Sequence, residues 1–233
     1  MKKKIFIVIA ILVVIICTLL YMFRKEVDLL YTGYFASEEQ ITKKAEKTTE
    51  KLESTLEEKY SIDKKQLEIF SKEDEEALMS GEISAEEIKE KIKENLAAME
   101  QPVQGEIVNP EEMQKQACQK AITDAITEIQ IVKADYVSEL GSLEGNIASY
   151  YNSLRKEGQS KATAKVNVAN KYTQTMVSFQ KRCDDSVNEI LTDLEKVLKE
   201  NKGDLSVISQ MRNEYESLKK SKLNQYMARM KKK

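Results

Sequence analysis

The sequence predicts an all-α protein: an N-terminal transmembrane helix, a charged helical stalk and hairpin, and a C-terminal antiparallel three-helix bundle of coiled-coil-like character. Three observations predict it. Charged residues make up 33% of the 233 positions, against 7 Gly, 2 Pro and no Trp, the profile of long helices rather than of a turn-rich α/β fold. Apolar residues recur every three or four positions over most of the chain. One uncharged apolar run stands at the start.

That run extends from Ile5 to Phe23, behind Met1-Lys2-Lys3-Lys4 and ahead of Arg24 and Lys25. At ~1.5 Å per residue it makes roughly 28 Å of helix, near the thickness of a bilayer core. Its C-terminal end is bulky (Leu19, Leu20, Tyr21, Met22, Phe23), unlike the small residues of a signal-peptide cleavage site, so an uncleaved signal-anchor is expected. Cys17 follows Ile15 and Ile16, which lack the small residue that precedes a lipid-modified cysteine, and it reads as an ordinary membrane-helix residue. The tri-lysine start places residues 1–4 in the cytoplasm and the bulk outside, with Tyr21, Phe23, Tyr31, Tyr34 and Phe35 as an interfacial aromatic belt.

Residues 24–62 form the juxtamembrane and stalk segment. Ser37 and Gln40 match a capping box, and Ile41, Ala45, Leu52 and Leu56 share one thin stripe that calls for a partner helix. Residues 63–100 read as a helical hairpin. Leu67, Phe70, Leu78 and Met79 define a helix from Asp63 to Ser80 stopped by Gly81; Ser84 and Glu87 cap the next, through Ile88, Ile92, Leu96 and Met99. With Gly81 as sixth position the turn partly matches an EF-hand calcium loop, but Leu78 stands where an oxygen ligand is required and Glu76 replaces the usual Asp, so no metal is expected. Gln101-Pro102-Val103-Gln104-Gly105 marks the linker, residues 101–109.

Asn109-Pro110-Glu111-Glu112 is a helix start with cap, proline and first-turn acids, opening the bundle of residues 110–233. The first stripe runs Met113, Ala117, Ala121, Ala125, Ile129, Val132, Tyr136, Leu140, Leu143, Ile147, Tyr150 and Leu154. Gly141 and Gly145 interrupt it, as weak points or as a close-approach face. After Gly158 a seven-residue repeat, Ala162, Ala169, Met176, Cys183, Ile190 and Val197, is joined by Val166, Thr173, Gln180, Val187 and Leu194, giving a coiled-coil-like seam. Asn201-Lys202-Gly203-Asp204 supplies a glycine stop and an Asp cap. The last helix uses Leu205, Ile208, Met211, Tyr215, Leu218, Tyr226 and Met230. Pairing about Gly158 sets Cys118 opposite residue 198, roughly 20 Å along the axis from Cys183, so no disulfide joins them.

Chemistry is sparse. Histidine is absent, removing the commonest general base and metal ligand, and no Gly-rich loop or clustered nucleophile replaces it. No catalytic residue, cofactor or metal is expected. The charge is uneven: residues 26–112 hold 24 acidic and 11 basic side chains, residues 212–233 only 2 acidic and 8 basic. Lys219, Lys220, Lys222, Arg229, Lys231, Lys232 and Lys233 are the candidate contact with an anionic envelope polymer or lipid surface, set against plain complementarity to the helix dipole. No nucleic-acid motif accompanies them. The expected function is a non-enzymatic, membrane-anchored interaction or scaffold protein of a cell envelope, binding a partner or itself by helix packing. The alternative is a membrane-tethered regulatory or ligand-sensing module.

Overall fold

The computed structural model describes residues 38–63, 70–99 and 109–232. The expected transmembrane run 5–23, Cys17, the Ser37 cap, Leu67 and the 101–108 linker lie outside the described residues. Six helices are described and no strand: α1 (Glu38–Tyr60), α2 (Lys72–Ser80), α3 (Ala85–Met99), α4 (Pro110–Lys156), α5 (Lys161–Glu200) and α6 (Ser206–Lys232). None of them is long and apolar enough to cross a membrane. The chain divides into two compact units, Lys44–Leu218, and Met1–Lys43 with Lys219–Lys233.

Local signals set most helix ends. Asn109 Oδ1 accepts from the Glu112 amide at 2.8 Å, with Pro110 in the first turn. The Ser84 hydroxyl accepts from the Glu87 amide at 3.2 Å while the Ser84 amide donates to the Glu87 carboxylate at 2.7 Å, the expected reciprocal cap. Gly81 stops α2 at φ 78°, and Gly158 turns α4 into α5 at φ 87°, both in the region where a side chain is strained. The hairpin's first helix departs from expectation: it begins at Lys72, not Asp63, because Ser71 and Asp74 form their own capping box. Phe70 lies before it, buried.

In the Lys44–Leu218 unit one core joins four helices. Leu52, Leu56, Tyr60 and Ile62 from the α1 segment meet Cys118, Ile122, Ala125, Ile126 and Ile129 of α4, Val187, Leu191, Leu194 and Leu198 of α5, and Val207, Met211 and Tyr215 of α6. The helix expected as a stalk is thus a fourth bundle member here: its thin stripe finds its partner within the chain. Burying such a stripe stabilises a helix that its own propensity would not hold. Lys59 and Asp204 form an ion pair at its end, and the Tyr60 hydroxyl accepts from the Asp204 amide at 2.7 Å.

A second core covers another side of α4. Phe70, Leu78, Ile88 and Ile92 of the hairpin region pack with Ala134 and Val137, so α4 carries two apolar faces where one stripe was expected. Gly141 is the close-approach position: a Cβ there would lie 2.8 Å from the Met79 carbonyl oxygen. Gly203 likewise serves space rather than backbone angle. The left-handed residue of that turn is Lys202, at φ 56°, while a Cβ on Gly203 would meet Cys118 Sγ and Leu198 at 2.8 Å. This contact agrees with the expected register of Cys118 near residue 198, and both Cys118 and Cys183 are free thiols.

Three expected stripe assignments change. Met113 and Leu205 are exposed, at 60% and 42%; each falls at a helix start, where no facing helix covers it. Along α5 the buried seam is Phe179, Gln180, Cys183, Val187, Leu191, Leu194 and Leu198, not the strict seven-residue repeat. Ala162, Val166, Ala169 and Thr173 are exposed, and Met176, Ile190 and Val197 half-buried. A straight α-helix drifts ~20° per heptad against a 3.5 repeat, and the C-terminal half of α5 has a four-helix core to face that its first half lacks.

Candidate functional site

Two features of the Lys44–Leu218 unit go beyond core packing. The first is the arm made by the end of α4 and the start of α5. Tyr150 and Tyr172 meet edge to face at 6.0 Å, the Tyr172 hydroxyl donates to the Asn146 carbonyl at 2.9 Å, and the Lys171 ammonium lies 3.9 Å from the Tyr150 ring centre. These contacts, with buried Leu143, Leu154 and Ala164, hold the two helices together. On the other side of α5, Ala162, Val166, Ala169, Thr173 and Val177 form a stripe open to solvent, with Val166 57% and Val177 38% exposed. Its spacing continues that of the seam lower in the same helix. No carboxylate occurs between Gly158 and Cys183, where Lys161, Lys165, Lys171, Lys181 and Arg182 stand.

The second feature is a small cavity of about 50 Å³ between α1, α4 and α6, lined by Thr49, Leu52, Glu53, Ile126, Gln130 and Glu214, among others. It has room for a water or two and none for an organic ligand. Glu214 is placed there by its phase, three residues after Met211 and four before Leu218 on the apolar side of α6. Burial pushes its carboxyl up to about 7; Lys133 and a hydrogen bond with Thr49 oppose this, and the Glu53 charge adds to it. Lys133 is already engaged by Glu75 at 2.6 Å and lies over the Phe70 ring at 5.1 Å. Nothing in the sequence reading singled out Glu214, although a carboxylate in register with Met211 and Leu218 was the available signal.

A wider groove of about 540 Å³ runs between α3, α4 and α5 and includes Asp135, Ser138, Glu139 and Arg182. Ion pairs engage three of its charged side chains, Asp135 with Lys89 at 2.6 Å and Glu139 with Arg182 at 3.3 Å, and Glu86 also lines it. Among the described residues no group of three or more potential ligands is placed to hold a metal ion.

Of the sequence-derived basic contact, the described side chains are those of Lys219, Lys220 and Lys222. Lys219 is buried, 7% exposed, while Lys220 and Lys222 are half-buried on α6. The side chains of Arg229, Lys231 and Lys232, and Lys233 altogether, lie outside the described residues.

At the α5–α6 turn, the ion pair and hydrogen bond from Lys59, with hydrogen bonds from Ser206, hold the Asp204 carboxyl at about 2. A carboxyl lowered in the fold stabilises it above its unfolded value, near 4, and that contribution is lost as the pH falls toward 2. Asp204→Asn is therefore expected to cost about 1 kcal/mol at pH 7, after discounting for its partner's exposure. Its melting temperature should converge with that of the parent only as the pH falls through about 2, a comparison that pH-resolved thermal melts provide.

No protein-family model matches this chain, and no curated protein or solved structure matches it either.

Proposed function

We propose that this chain is a non-enzymatic helical interaction or scaffold protein of a cell envelope, anchored in the membrane by residues 5–23, with its bulk outside the cytoplasm. The observation that carries the interaction reading is the uncovered face of α5. A stripe at core spacing, with two valines 57% and 38% exposed, gives a partner helix apolar area to bury at ~25 cal/mol per Å². Lys161 and Lys165, at the start of the same helix, favour a partner of acidic character. The anchor rests on the apolar run and its lysine flank. Absence of histidine supports a non-enzymatic role. The basic C-terminal residues, Lys219 excepted because it is buried, remain candidates for an anionic polymer or lipid surface.

The test is a paired substitution, Val166→Glu with Ala169→Glu, on the exposed stripe. Both sites are outside the core, so the melting temperature should move little. Native complexes from gently solubilised membranes should become smaller. Unchanged complex size, or a parent protein that is already a lone chain in the micelle, would refute the interaction reading.

A second reading, a membrane-tethered regulatory or ligand-sensing module, draws on the acidic recess that Glu53 and Glu214 line between α1 and α6.

A further inference from the structure

We propose that the α2–α3 hairpin is a lid on α4: it lifts as one piece while the four-helix core stays closed, and in lifting it bares a face of α4 that it buries when seated. The inference goes beyond the scaffold reading and does not depend on it.

The two cores are built separately. Phe70, Leu78, Ile88 and Ile92 of the hairpin region cover Ala134 and Val137, and none of them enters the core shared by α1, α4, α5 and α6. Among the described residues the hairpin core holds six buried side chains against sixteen in the larger one, so seating the hairpin removes less apolar surface from water. Nor does α4 need the hairpin to stay in place. Its residues Cys118, Ile122, Ala125, Ile126 and Ile129 belong to the four-helix core. Further along, Tyr136 packs against Phe179 at 5.4 Å and accepts a hydrogen bond from Gln180 at 3.2 Å. Lifting the hairpin therefore takes no side chain out of the larger core.

The hairpin is also tied to itself. The Lys91 ammonium of α3 donates to both carboxylate oxygens of Asp74 on α2, at 2.7 and 2.8 Å, and each helix carries its own capping box. Two ion pairs guide it onto α4. Lys133 meets Glu75 of α2 at 2.6 Å, and Asp135 meets Lys89 of α3 at 2.6 Å. These two charges flank Ala134, so a hairpin set down the other way round would bring like charges together. Such pairs fix the seating more than they hold it, because desolvation offsets much of their attraction. Opening bares Ala134 and Val137, both fully buried when the lid is seated, and removes Ala85 and Glu86 from the groove beside Phe179 and Cys183.

Native-state hydrogen exchange on the full chain in detergent micelles tests the lid. Amides of residues 75–79 and 88–96 are expected to share one opening equilibrium and, after correction for intrinsic rates, to exchange at least about tenfold faster than those of residues 192–198 in α5. Leu191→Ala separates a lid from a single cooperative unit. It weakens the larger core, so exchange at residues 192–198 should rise by about tenfold or more. The hairpin amides should keep the parent's rates, since the seated and lifted forms lose the same leucine. Hairpin amides no faster than those of α5 in the parent, α2 and α3 opening at unrelated rates, or hairpin rates that rise with those of α5 in Leu191→Ala would each overturn the proposal. Should that variant fold poorly, the denaturant dependence of exchange in the parent decides. A shallower slope shared across the hairpin supports the lid, because opening it exposes less surface than unfolding the bundle, and a slope equal to that of α5 sinks it.

Discussion

Leu56→Ala is expected to destabilise the protein by about 2–5 kcal/mol, the range for removing a leucine from a filled core. Leu56 is fully buried, as are Ile122 of α4, Leu191 and Leu198 of α5, and Val207 of α6 in the same cluster. Several neighbours come from long helices anchored elsewhere, so the site has little freedom to collapse around the missing atoms. For a chain of this size the thermal midpoint should fall by roughly 5–15 °C. An α1 acting only as a charged stalk would expose Leu56 and make the same substitution nearly silent. A thermal melt followed by circular dichroism separates the two outcomes, and a shift under about 2 °C would remove α1 from the core.

The second large effect is local. Gly141→Ala places a methyl group 2.8 Å from the Met79 carbonyl oxygen and 3.2 Å from its Cα. Both belong to backbone, so no side-chain rotation relieves the contact and the hairpin must back away from α4. Overpacking of this kind costs about 1–3 kcal/mol. The loss should fall on the Phe70, Leu78, Ile88 and Ile92 core and leave the four-helix core in place. Limited proteolysis would then cut the 70–99 region sooner while the bundle stays intact. Gly145→Ala is the control, because nothing lies within 4 Å of its added Cβ and alanine favours the helix by up to about 1 kcal/mol. Equal proteolysis in both variants would contradict the close approach at Gly141.

Helix ends were legible in the sequence because their chemistry is local. Asn109 with Pro110, Ser84 with Glu87, and Gly81 each satisfy backbone groups a few residues away, and the structure places all three at helix boundaries. Partnerships were not legible to the same degree. The thin stripe of Leu52 and Leu56 says that α1 needs a partner but not which one, and the answer depends on contacts more than sixty residues away. Gly203 reads as a stop from sequence, yet its neighbour Lys202 takes the left-handed angle while Gly203 makes room for Cys118. That exchange of roles depends on a helix over eighty positions distant. The α5 repeat shows the same limit: seven-residue spacing identifies a face, and only the neighbouring helices decide which stretch of it is covered. Glu214 was hidden because its environment, not its spacing, makes it unusual.

These observations bear on function in one direction. The double apolar face of α4 and the uncovered stripe of α5 support the proposed interaction reading, and the proposed anchor sets its cellular side. The measurement that tests this most directly is protease accessibility of a C-terminal tag in intact cells, beside a cytoplasmic control protein and a membrane fraction. The account predicts that the chain sediments with membranes and that the tag is removed while the control survives. A tag protected until the membrane is permeabilised, or a chain that stays in the soluble fraction, would contradict it.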